Sequence, residues 1–147
     1  MQQRDPNYGR QQEPRSIRTP AGMSEDERTW SMIAHLSVLL NLITGLGGPV
    51  AALIIWLVYK DRSQRVAFHA LQSLWYQIAW IVILAVGWSI TVVLMFVLIG
   101  FLLIPVMVLV SLVPFIHQCY AAYKVYQGVD YRYPIIADMI DGGRRTA

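Results

Sequence analysis

Charge is absent from most of this chain. No Lys, Arg, Asp or Glu occurs in residues 29–59, and none in residues 66–123. Charged residues make up 14% of the sequence, against about 25% for an average soluble domain. A soluble core has no need of charge-free blocks this long. A bilayer does, because a charge at its centre costs about 2.5–3.5 kcal/mol even on lenient scales. The single cysteine, Cys119, excludes an internal disulfide. Hydrolytic signatures are missing too: there is no nucleophile elbow, Walker loop, zinc-protease helix or pair of intramembrane carboxylates. The spans therefore lack the acids and bases that most enzymes use, and neither enzymatic activity nor a cofactor is expected.

The charges that remain fall in three clusters: the tail ending at Arg28, residues 60–65, and the segment from Lys124 onward. With a net charge of +3, the basic residues beside apolar blocks read as topology determinants and headgroup contacts, not as a nucleic-acid surface. Residues 1–23 are rich in Gln, Arg and Pro and have no apolar centre, so they read as a disordered cytosolic tail, not a signal peptide. The transmembrane helical domain is expected over residues 24–127, and residues 128–147 form an interfacial or cytosolic C-terminal segment.

Within that domain, Ser24 followed by Glu25, Asp26 and Glu27 is a capping box that opens a helix reaching Ile43. The cluster Gly45, Leu46, Gly47, Gly48, Pro49 breaks it, and a short apolar helix runs from Val50 to about Tyr59. Two readings follow: one long span kinked at the glycines, or two short helices turning there as a hairpin. The strength of the breaker favours the hairpin, which also returns all three charged clusters to one face. Residues 66–123 number 58, about twice the ~20–25 that one span requires. A helix is predicted from Ser63 to Leu98 and another from Leu102 to Gln127, with the turn near Gly100 and Pro105. Gly87 should bend the first and Pro114 kink the second. The fold class is all-α: an integral membrane four-helix bundle, multi-pass in the inner (plasma) membrane, with both termini cytosolic. Trp56, Tyr59, Tyr123, Tyr126, Tyr131 and Tyr133 cluster near the basic ends as an aromatic belt.

The most informative stretch is the start of the third helix. His69, Gln72, Ser73, Tyr76, Gln77 and Trp80 recur at i, i+3, i+4, i+7, i+8 and i+11, which puts the polar groups on one stripe. Lipid cannot satisfy such groups, so the stripe faces other helices or a cavity. It is either interhelical glue or a polar groove for a guest segment or solute. At 1.5 Å per residue, Ser73 lies ~12 Å beyond Arg65, His35 ~12 Å beyond Glu27, and His117 ~10 Å before Lys124. His35, Gln72, Ser73 and His117 then share one depth. No His-x3-His spacing supports a metal site, and a proton relay through His35, His69 and His117 is the weaker alternative to uncharged, hydrogen-bonded histidines. Tyr131, Arg132, Tyr133 and Pro134 are expected to form an interfacial anchor, with both rings and Arg132 at headgroup level.

Three stretches together carry a resemblance. They are residues 24–37 (SEDERTWSMIAHLS), residues 48–62 (GPVAALIIWLVYKDR) leading into residues 66–72 (VAFHALQ), and Tyr131, Arg132, Tyr133, Pro134. They resemble the bacterial uncharacterised small membrane protein family grouped with the Tic20-like import component of the chloroplast inner envelope, over about residues 24–140. The resemblance implies a four-helix membrane protein and, for the plant relative, a role in a protein-conducting translocon; it implies no catalytic residues. Three functions compete: a translocon-like component sheltering a polypeptide, a structural accessory subunit of a larger membrane complex, and a small-solute or proton carrier. The partners expected are the lipid bilayer and other membrane proteins, with self-association as a further option and no nucleic acid.

Overall fold

The computed structural model describes residues 22–145, with side chains described to residue 142. Most of the expected disordered tail, residues 1–21, lies outside the described residues, as do residues 146 and 147. Met23 does not belong to a tail: it is buried, and its carbonyl accepts a hydrogen bond from Arg28 Nε at 3.1 Å.

Helix α1 covers Glu25–Leu36, and both halves of its capping box form. Ser24 Oγ accepts from the Glu27 amide, and Glu27 Oε2 accepts from the Ser24 amide at 3.1 Å. The other Glu27 carboxylate oxygen accepts from Ser63 Oγ at 2.7 Å, and Ser63 in turn caps the next long helix. That hydroxyl holds the Glu27 carboxyl below its ordinary value against the opposing effect of burial.

The first apolar block is a hairpin. After α1 the chain tightens into a 3-10 helix over Ser37–Leu40, continues as α2 over Asn41–Thr44, and reverses at Gly45, whose φ is +78°. Helix α3 then returns over Gly47–Tyr59, bringing Tyr59 against Trp30 with ring centroids 5.3 Å apart. The donors at the start of α3 are matched locally. The Gly47 amide donates to Thr44 Oγ1 at 2.7 Å, the Gly48 amide donates to Asn41 Oδ1 at 2.8 Å, and Pro49 has none to offer.

Among the described residues, helices α4 (Gln64–Met95) and α5 (Ile99–Tyr126) are the two long and apolar enough to cross a membrane. Here the architecture differs from four spanning helices. The 13 residues of α3 rise only about 20 Å, short of a ~30 Å hydrocarbon core. The hairpin tip meets α4 at Gln77, whose Oε1 accepts from Asn41 Nδ2 at 3.2 Å, less than half-way along that helix. Gly87, Pro105 and Pro114 all sit inside unbroken helices, and the reversal between α4 and α5 falls at residues 96–98. Leu98 takes the left-handed conformation there, with φ +65°. Gly100 serves packing: a Cβ on it would strike the backbone of Thr91 and Met95.

A last helix, α6 (Pro134–Arg145), was not expected from the sequence. It packs on the start of α4 through Ala137 and Ile140 against Phe68, and Asp141 pairs with Arg132. The three charged clusters meet at one end of the molecule: Glu27 contacts Ser63 and Arg65, and the Arg28 guanidinium lies beside Gly128.

Candidate functional site: a polar interior face

Five of the stripe residues of α4 (His69, Gln72, Ser73, Tyr76 and Gln77) are buried, and Trp80 is partly so. Small residues make this possible. Ala34, Ala70, Ala121 and Ala122 are almost fully enclosed and let α1, α4 and α5 approach closely enough for short polar side chains to meet.

Ser73 is the centre of one network. Its Oγ lies 2.7 Å from the Ala34 carbonyl and 3.0 Å from Gln118 Oε1. A hydroxyl has one proton, so it donates to Ala34, and a flipped Gln118 amide that donates to Ser73 satisfies both contacts. Gln77 Nε2 donates to Ser37 Oγ at 3.1 Å and to Ser73 Oγ at 3.0 Å, and Ser37 Oγ also donates to the Ala34 carbonyl. Two hydroxyls on one carbonyl mark the place where α1 gives way to the 3-10 turn. Asn41 carries the network on to Gly48. Gly48 is needed here: a Cβ would lie 2.8 Å from the Ser37 carbonyl oxygen and from Asn41 Oδ1.

A second network joins the histidines to the chain beyond α5. Tyr133 Oη lies 3.4 Å from His35 Nδ1, His35 Nε2 lies 3.4 Å from His69 Nδ1, and His69 Nε2 lies 2.9 Å from Asp130 Oδ1. The last approach is out of line for a hydrogen bond, which leaves it a contact between the imidazole edge and the carboxylate. One set of tautomers serves all three: Tyr133 donates to His35, His35 to His69, and His69 faces the carboxylate with its remaining N–H. That imidazole keeps the Asp130 carboxyl below its ordinary range, with Arg132 and Arg65 adding to the effect. His117 sits between two phenols, 2.7 Å from Tyr76 Oη and 2.7 Å from Tyr131 Oη. Tyr133 stacks on Tyr76 with centroids 4.4 Å apart and planes 14° from parallel.

Gln72 binds backbone. Its Nε2 donates to the Tyr131 carbonyl at 3.0 Å, and its Oε1 accepts from the Tyr133 amide at 3.0 Å. Residues 129–133 have no helical structure and lie along the polar face of α4. The headgroup-level anchor expected at Tyr131 to Pro134 is therefore corrected in part. The Tyr133 ring is 2% exposed and the Tyr131 hydroxyl turns inward, because α5 ends early enough for the chain to re-enter the bundle. Arg132 and Pro134 do stay exposed, and Arg132 lies over the Phe68 ring at 5.1 Å.

Residues 26–140 match the magnetosome magnetite crystal formation protein family. The chain belongs to that family. The magnetosome family match takes in every residue of both networks. The UPF0132 membrane protein of Archaeoglobus fulgidus is 35% identical over 107 residues, which cover 72% of this chain and 86% of that protein. No solved structure matches. Together these relatives make the chain a member of a bacterial and archaeal membrane protein family.

Several partners in this family member were not singled out from sequence. Ser37, Asn41, Gln118 and Asp130 complete the networks. Gln118 and Asp130 stand next to His117 and Tyr131 in sequence, and Asn41 is a lone amide in an apolar run; each was a polar group in a context that demands a partner. Among the described residues no three His, Cys, Asp or Glu side chains converge as a metal site would require.

Proposed function

We propose that this is a non-enzymatic, multi-pass protein of the inner (plasma) membrane, translocon-like in that its polar interior face accommodates an extended polypeptide segment. The charged ends belong at the cytosolic side, and the α1–α3 hairpin enters the membrane and returns without crossing it. The matched donors at its tip support this, since lipid offers no replacement for an unpaired amide. The observation that carries the reading is the Gln72 side chain, which pairs with a carbonyl and an amide two residues apart as a neighbouring β-strand would.

A second reading, a structural accessory subunit of a larger membrane complex, draws on the fact that the chain's own segment already fills the face. The family's description, magnetosome magnetite crystal formation, suits that alternative, a subunit of a membrane-bound assembly. A photo-crosslinking residue at Trp80, which borders a cleft of about 360 Å³ beside Tyr76 and Tyr133, separates the two. Capture of a second polypeptide there, and none from exposed Val93 on the far half of α4, supports accommodation. Adducts confined to this chain leave the accessory subunit.

A further inference from the structure

Helix α5 ends in a Schellman motif. Gly128 has φ +82°, its amide donates to the Val125 carbonyl at 2.9 Å, and the Val129 amide donates to the Lys124 carbonyl at 3.1 Å. The chain then turns inward, runs extended past Gln72, and leaves again as α6. Along this stretch the side chains split into two sets. The Tyr131 and Tyr133 rings engage His117 and Tyr76, whereas the Asp130 and Arg132 side chains are 60% and 45% exposed. Gln72 reads main chain only, which any extended strand supplies. The selectivity lies in the rings, for which two hydroxyl partners stand ready: His117 for the first tyrosine and His35 for the second.

We infer that residues 129–133 are a ligand in cis, holding a site that takes extended polypeptide strands with tyrosines two residues apart. The inference rests on the accommodation reading above and names its ligand class. The site cannot stand empty. Without the segment, the Gln72 side chain would face a low-dielectric interior unpaired, and His35 Nδ1 and His117 Nε2 would each lose a hydroxyl partner that no lipid replaces. Release is therefore an exchange: one strand leaves as another pairs with the same atoms. The segment is built for exchange, because it pivots on a glycine already in a left-handed conformation and has no secondary structure of its own to lose.

The test uses the full-length protein in lipid nanodiscs and a labelled peptide, Gly-Val-Asp-Tyr-Arg-Tyr-Pro. Wild-type protein should bind it weakly, since the tethered segment competes at millimolar effective concentration. Replacing Tyr131→Phe and Tyr133→Phe together keeps both rings packed but removes the hydroxyls from the tethered copy. Peptide affinity should then rise at least about tenfold, and adding Gln72→Leu should abolish binding. A peptide with alanine at both tyrosines should not bind. A folded double-Phe protein that binds no peptide overturns the inference. A second measurement needs no variant: the Tyr133 amide of wild-type protein should exchange hydrogen well before the amides at the centre of α4. Exchange of Tyr133 only at the rate of those central amides makes the segment a fixed part of the fold and also overturns the inference. A guest captured at Trp80 with Tyr133 locked would sink exchange and leave accommodation standing. Peptide exchange in nanodiscs with no cellular capture would do the reverse.

Discussion

The two halves of α4 live in different surroundings. From Val66 to Gln77 the helix is enclosed by α1, α3, α5 and the re-entering chain, and its polar groups bond to other elements. Beyond Trp80, α5 accompanies it, and Val82, Ile83, Val86, Ile90 and Val93 are exposed. Ser89 and Thr91 there return their hydroxyls to carbonyls four residues back in their own helix. Among the described residues only Trp88 reaches across, donating to Ser111 Oγ at 3.3 Å. The first half specifies one arrangement through directional bonds and close contacts. The second is built to be compatible with lipid, with polar groups neutralised locally. One helix can therefore carry a tightly determined site and a permissive span, with the hairpin tip at Gln77 marking the border.

Two glycines break this comparison most sharply. Gly48 meets a backbone oxygen at its missing Cβ, whereas Gly87 meets the flexible end of Met107. Gly48→Val should cost about 3 kcal/mol or more, combining overpacking with the loss of the Asn41 bond, and much of the protein should fail to fold. Gly87→Ala should stay within about 1 kcal/mol, because the gain in helix propensity offsets the small shift of Met107. Thermal unfolding in detergent compares them; equal losses would erase the distinction between the halves.

Gln72 and Ser111 give the next contrast. Gln72→Leu strands the Tyr131 carbonyl and the Tyr133 amide, so it should cost about 2 kcal/mol, above the ~0.6 kcal/mol average for interhelical bonds in membranes. Ser111→Ala removes one long bond from Trp88 and should cost no more than that average. A Gln72→Leu loss as small as that of Ser111→Ala would reduce the polar face to ordinary glue.

How much of this was readable beforehand follows the same border. The polar stripe of α4 was legible because a 3.6-residue period in a charge-free block leaves few places for Gln and His to go. The hairpin was legible from the glycines and Pro49. Its depth was not, since whether a break lies at the membrane surface or half-way in depends on which side chains satisfy its amides. Thr44 and Asn41 do so, and neither forms a motif. The distal turn was misplaced for a related reason. A glycine signals either a left-handed turn or a close contact, and Gly100 is the contact while Leu98 takes the turn. The re-entry of Tyr131 and Tyr133 was hidden because tyrosine near a basic cluster fits a headgroup belt equally well. Only the hydroxyl partners on His35 and His117 decide the matter, and they lie on other helices.

The smallest expected effect lies at the charged end, where the enclosed half meets water. Glu27 accepts from Ser63 and from the Ser24 amide, and these bonds favour its ionised form. The Asp130 carboxyl is lowered too, by the imidazole of His69 beside it and by the nearby Arg132 and Arg65. For both groups the folded-state value is depressed, so the stabilisation is fully present above the unfolded carboxyl values of 4.5 and 3.8. It is lost as pH falls through the lower folded values. These two carboxylates should therefore leave the unfolding temperature unchanged from neutral pH to about 5 and contribute a decline below it. Glu27→Gln should flatten part of that decline while costing little at pH 7, because the group is at the surface and solvent screens it. Deleting Trp88–Ser111 contact by Ser111→Ala should leave the acid limb untouched, since no carboxylate lies in that half. An acid limb that persists unchanged in a Glu27→Gln, Asp130→Asn double variant would assign the decline to other groups, and with it would go the idea that carboxylates at this end tie α1 and the re-entering chain to α4.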